Sequence, residues 1–195
     1  MARPIEFEYD KVLENAMQQF WKEGYEASSV QKLLDATGIN RGTLYNSFGD
    51  KDTFFKLCVD RYNDQLKKKI DESLGNNKLD PAVAIEAYYK AAVITPAPKQ
   101  RSLGCLLVNS VCESINWDKD LQKLIRNSLN NIRRAFLSRT KELEKSKKLK
   151  RGLKADSAAE ILMGQLQGMY VSARNGRSQK NLETLLESGM VAILK

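Results

Sequence analysis

From Arg41 to Asn46 this 195-residue chain carries the side chains best suited to reading a nucleic acid. An arginine can bridge a guanine edge or a phosphate, and an asparagine such as Asn46 can pair with adenine. Gly42 lets backbone approach closely. The hydroxyls of Thr43 and Tyr45 suit phosphate oxygens, contacts that set register rather than sequence. That chemistry is recognition, not bond-breaking. The chain has no histidine, hence no Ser-His-Asp or Cys-His unit and no histidine-ligated metal. It has no P-loop and no dinucleotide-binding glycine pattern. Carboxylates such as Asp118 and Asp120 read as helix caps and surface charge. Neither a catalytic activity nor a cofactor is expected.

The elements that must hold this run are short and sharply punctuated. Ser28 with Gln31 three residues on fits a capping box. Val30, Leu33 and Leu34 then share one helix face, and Gly38 is the natural left-handed stop. Asn40 caps a second helix over about 41–48, with Ile39 and Leu44 as a hydrophobic staple. Leu44 and Phe48 turn inward and leave Arg41, Gly42, Thr43, Tyr45 and Asn46 near the outer side. About three residues separate the helices, so they cross steeply, the geometry of a DNA-binding helix-turn-helix. The same spacing also suits a helical hairpin inside an ordinary all-α core.

Upstream, a helix over 10–23 buries Val12, Leu13, Ala16, Met17 and Phe20 and ends at Gly24. Arg3 precedes it on a tail able to enter a minor groove. Asp50 caps a fourth helix in which Phe54, Cys58, Tyr62, Leu66 and Ile70 recur every four residues. That stripe packs a small head below and a larger body above, with boundaries at 1–52 and 53–195. Asp80 and Pro81 open the next helix as N-cap and N1. Helices over about 103–115, 118–148, 156–174 (capped by Asp156) and 178–194 complete an all-α chain.

The net charge of +8 does not itself argue for nucleic acid, because it lies in the wrong half. Residues 1–74 hold 11 Lys/Arg against 13 Asp/Glu, whereas residues 75–195 hold 21 against 11. Most of the excess falls in Arg133–Lys154, which reads as a solvated helix end and loop, or as an attractor of DNA or an acidic partner. Three dispersed cysteines suit reduced cytosol rather than a disulfide framework. Without a long apolar run or a signal-peptide core, a cytoplasmic protein without membrane contact is expected.

From about Lys11 to Tyr62 the chain resembles the N-terminal domain of the TetR family of transcriptional regulators. The matching residues are an A-x-x-x-F near Ala16 to Phe20, G-Y at Gly24, S-S-V-x-x-L from Ser28, and T-G-I-N-R-G-T-L-Y-N-S-F-G-D-K from Thr37 to Lys51. The resemblance implies a dimeric, ligand-responsive regulator, most often a repressor of a palindromic double-stranded operator. It places Ser28 or Ser29, Thr43, Tyr45 and Lys51 on phosphates, and Arg41, Gly42 and Asn46 near base edges. Leu34 stands where the family often has alanine. Ser47 stands where it often has histidine, which removes one usual phosphate ligand. The resemblance also implies that the last two helices pair with a second copy. Their candidate interface residues are Ile161, Gly164, Leu166, Gly168, Leu182, Leu186 and Met190.

Cys105 and Cys112 lie two helical turns apart, about 10 Å, too far for a mutual disulfide. Cys105 reads either as a packed core thiol or as a reactive one with a lowered pKa near Lys99 and Arg101. The string Gly104-C-L-L-V-N-Ser110 resembles a TetR subgroup whose members sense electrophiles or oxidants. A pocket for a small organic inducer would draw on Tyr88, Tyr89, Asn109, Trp117 and Met163. The rival to a DNA-binding regulator is a helical adaptor that binds only protein.

Overall fold

A computed structural model describes residues 8–195 and forms ten α-helices over them. Arg3 lies outside the described residues. Helix α1 (Tyr9–Glu23) buries Val12, Leu13, Ala16, Met17, Phe20 and Trp21, the face its periodicity predicts with one aromatic added. The steep pair follows as α2 (Val30–Thr37) and α3 (Arg41–Phe48). Gly38 sits between them in the left-handed region, φ 72°, and its N–H closes on the Leu34 carbonyl at 2.8 Å. The α2 cap falls one residue later than expected. Ser29 accepts from the Lys32 amide at 3.3 Å, while Ser28 is buried and Gln31 turns to Asp35.

Helix α4 (Lys51–Glu72) starts on the Asp50 carboxylate, which accepts the Thr53 amide at 2.8 Å. Its stripe of Phe54, Cys58, Tyr62 and Leu66 is buried, because one side meets α1 and the other meets the body. The body begins with α5 (Pro81–Tyr89), capped by Asp80 as Pro81 at N1 requires, and α5 widens into a π-helical turn at Lys90–Ile94. The single helix expected over 103–115 is broken into α6 (Pro98–Arg101), α7 (Leu106–Glu113) and a 3-10 turn at Ser114–Asn116. Gly104 makes the break at φ 70°, a conformation open to glycine but strained for other residues.

The long helix α8 (Lys119–Lys145) is capped by Asp118 and packs along α9 (Ala155–Arg174) and across α5. Lys154, not Asp156, holds the N-cap position of α9, and Asp156 lies in its first turn. Helix α10 (Gln179–Ile193) is capped by Ser178 and returns along α9. The basic stretch 133–154 is partly neutralised, with Arg133 on Glu160, Arg139 on Glu142, Lys148 on Asp80 and Lys154 on Glu144. Among the described residues, no helix is long and apolar enough to cross a membrane.

Candidate nucleic-acid interface

Helix α3 carries its polar groups outward because its two large apolar residues are consumed by the core. Leu44 and Phe48 are fully buried, Phe48 stacking on Tyr9 and Phe54. Arg41, Gly42, Tyr45, Asn46 and Ser47 are exposed and Thr43 is half-buried. Asn40 accepts the Thr43 amide at 2.8 Å, so the first turn is held without using any outward side chain. The face is solvent-open at the helix N-terminal end, where a groove would meet base-reading groups.

Beside α3, Ser29 is exposed and able to meet a phosphate. Ser28 is not. Its hydroxyl is buried and donates to the Gly24 carbonyl at 2.6 Å, so the expectation of a phosphate contact there is corrected. Lys51 lies over the Tyr25 ring with its ammonium 4.3 Å from the centroid, a cation–π contact that orients the charge. Partial burial lowers its pKa while Glu26, Asp52 and Glu113 oppose that shift. Tyr25 is itself clamped, its hydroxyl hydrogen-bonded to Asp52 and its ring packed on Phe55 and Trp117.

This clamp joins head to body. The Trp117 indole N–H donates to Glu26 at 2.9 Å, and the Glu113 carboxylate accepts the Glu26 amide at 3.1 Å. Gly24 lies under that carboxylate at φ 88°, and a Cβ there would collide with Glu113. From the other side Arg174 of α9 reaches the Trp21 and Lys22 carbonyls at 3.5 and 3.4 Å. The Arg174 contacts fall on the C-terminal carbonyls of α1, an end that a cation stabilises. Periodicity had no means of finding this joint, because its partners lie about 90 or 150 residues apart.

The pattern for the family described as "Bacterial regulatory proteins, tetR family" matches residues 12–58, covering α1 to the first part of α4. The chain is 32% identical over 186 residues to the HTH-type transcriptional repressor ComR of Escherichia coli (strain K12), covering 93% of this chain and 86% of ComR. It belongs to the TetR family. It is therefore a DNA-binding transcriptional regulator, and the adaptor reading is not favoured. A second relative, YezE of Bacillus subtilis (strain 168), is 30% identical over 70% of each chain. Among solved structures, a CifR cysteine mutant complexed with 26 bp double-strand operator DNA superposes with a TM-score of 0.88 at 21% identity, covering 98% of this chain and 100% of that one. At that identity the likeness establishes the fold.

The sensing residues expected of a TetR-family chain do not line one pocket, although Tyr88 and Cys105 lie close enough to interact electrostatically. Trp117 lies in the head–body joint, against Tyr25 and Phe55, rather than in a pocket. Asn109 is spent on the turn at Gly104, donating to the Leu103 carbonyl at 2.9 Å. Tyr88 is fully buried against Phe136, and Tyr89 donates to the Leu162 carbonyl at 2.6 Å. Met163 lines a cavity of about 430 Å³ between α8, α9 and the end of α7, with Val111, Ile125, Leu129 and Gly164. Cys105 departs from the reactive picture too. It is the N-cap residue of α7, fully buried, and its sulfur accepts from the Tyr62 hydroxyl at 3.3 Å. Burial raises its pKa, outweighing that bond, the α7 amides and Lys69. Lys99 and Arg101 are not among those groups. Cys112 is the exposed thiol.

The expected interface residues divide by exposure. Leu166, Leu182, Leu186 and Met190 are buried within the protomer, so their assignment to a subunit interface is corrected: they join α9 and α10 to their own core. Ile161, Gly164 and Gly168 are exposed on α9, and Val171 continues their line at 55% exposure.

Proposed function

We propose that the protein is a homodimeric repressor that inserts α3 into the major groove of a palindromic operator and is released by a small molecule. The outward polar face of α3, with Leu44 and Phe48 holding the helix from behind, is the observation that carries the reading. Arg41, Gly42 and Asn46 face the bases, and Ser29, Thr43, Tyr45 and Lys51 take phosphates. The division 1–52 for the head and 53–195 for the body is consistent with this, α4 being shared between them. A single α3 reads about half a turn, so two copies about 34 Å apart give the affinity and demand the palindrome. The relatives' names as repressors support the sign of regulation.

Selecting bound fragments from random duplex DNA tests the reading, with an inverted repeat as the expected product. A pool without symmetry or enrichment would contradict it. On the selected site, Arg41→Ala is expected to cost about 1–3 kcal/mol and to relax preference at one base pair. A uniform loss across all sequences would move Arg41 to the phosphate set. Lys51→Ala is expected to weaken all sequences alike and to reduce the salt slope by about 1. An unchanged slope would leave Lys51 a packing partner of Tyr25 alone.

The released state follows from the joint. A ligand that prefers a body in which Glu113, Trp117 and Arg174 have shifted draws the heads away from their half-site spacing. Covalent modification by an electrophile is supported less well, since the Cys105 thiol is buried and protonated.

A further inference from the structure

The seam between α1 of the head and the body contains a buried donor without an acceptor and, beside it, a half-buried cation without an ion-pair partner. Trp21 is 4% exposed, and its indole N–H meets no acceptor. It borders a cavity of about 10 Å³ shared with Tyr62 and Lys69 of α4, Arg101 of α6, Gly104 and Tyr170. That volume holds one water-sized group. No carboxylate lines it, and Lys69 has no ion-pair partner among the described residues. Desolvation lowers the Lys69 ammonium pKa, with Cys105 opposing the shift. Arg101 adds a second cation, its Nη1 donating to the Ile94 carbonyl at 2.9 Å. The remaining walls are Ala92, Val93, Pro96, Gln100 and the tyrosine rings, apolar apart from the Gln100 carboxamide.

Orphaned donors and unpaired charge of this kind are costly, and one ligand type removes both costs. We propose that the seam binds a small carboxylate, with its oxygens on the Trp21 N–H and the Lys69 ammonium and its short apolar tail against Val93 and Pro96. The cavity as it stands is too small for a carboxylate. Binding must therefore part α1 from the α6 turn, close to where Arg174 ties the Trp21 and Lys22 carbonyls to Leu103. Occupancy and head displacement are then one event. The regulatory consequence rests on the ligand-release reading above; the binding site does not.

The chain has two tryptophans, so full-length protein carrying Trp117→Phe leaves Trp21 as the sole indole reporter. Acetate and benzoate are titrated at constant ionic strength, with chloride as the inorganic control. A saturable change in Trp21 emission is expected with a carboxylate and not with chloride. Adding Lys69→Met, which keeps length and removes an unpaired charge, is expected to raise the half-saturation about tenfold or more, with Lys69→Arg restoring part of it. Flat emission, an unchanged half-saturation in Lys69→Met, or an equal response to chloride would overturn the proposal. The protein with both tryptophans is then titrated with labelled operator at the same carboxylate concentrations. A carboxylate that saturates Trp21 without moving operator affinity upholds the site and removes its role in release.

Discussion

Replacing Gly164 and Val171 together by glutamate is expected to leave a folded monomer that has lost about two to four orders of magnitude of operator affinity. The argument starts from what the protomer does not explain. Ile161, Gly164, Gly168 and Val171 follow one another at spacings of three, four and three along α9, and all four are exposed. A glycine in an exposed helix interior costs roughly 0.5–1 kcal/mol relative to alanine. Within the protomer nothing lies within 4 Å of a Cβ added at Gly164 or Gly168, so no internal packing demands either one. A second backbone drawn close would demand both. On α10, Val191 is also exposed, at 68%. The carboxylates meet open space in the protomer and like charges across a two-fold axis in the dimer. Sedimentation at micromolar concentration, beside operator titration, checks the result. A dimer that persists, or a monomer that binds as tightly, would place the subunit contact elsewhere.

Trp117→Ala is expected to cost about 3–5 kcal/mol of stability, the usual loss for truncating a buried tryptophan, and to lower the melting temperature by roughly 6–20 °C. Trp117 is 7% exposed, with its ring 4.8 Å from Tyr25 and 5.5 Å from Phe55. Its removal also takes away one of the rings packed on Tyr25, the ring under Lys51. The head then loses one of its ties to the body and part of the packing beneath Lys51. Trp117→Phe keeps most of the packing and gives up the bond to Glu26, a loss of about 1 kcal/mol. Thermal unfolding separates the two variants, and operator binding below the melting range reports the head alone. If Trp117→Ala melts as the parent does, the joint carries little of the fold's stability and the body must steer the head through α4.

The DNA-facing side of the protein was legible because its determinants are local. Caps, a left-handed glycine and two inward residues set α3 within a dozen positions, and Asn40, Gly38, Leu44 and Phe48 behave as their types require. The one slip there was a single residue. Ser28 and Ser29 are chemically identical, and Ser29 caps α2 because the Ser28 hydroxyl is taken by the Gly24 carbonyl. The break at Gly104 is hidden for a similar reason: helical periodicity runs through it, while its positive φ and the closeness of Asn109, Tyr170 and Arg174 to any added Cβ belong to the fold.

By itself, then, the amino-acid order determined an all-α chain, its helix-turn-helix and the groups that turn outward from α3. Those follow from intervals of three or four residues and from the backbone preferences of glycine, proline and capping side chains. Tertiary structure alone decided what periodicity treats as equal, namely which apolar stripe faces its own core and which faces outward. Leu166 and Gly168 sit two positions apart on α9, yet one is buried and the other open. Trp117 and Cys105 took their roles the same way, from neighbours distant in sequence, because burial and pKa depend on what the fold brings alongside.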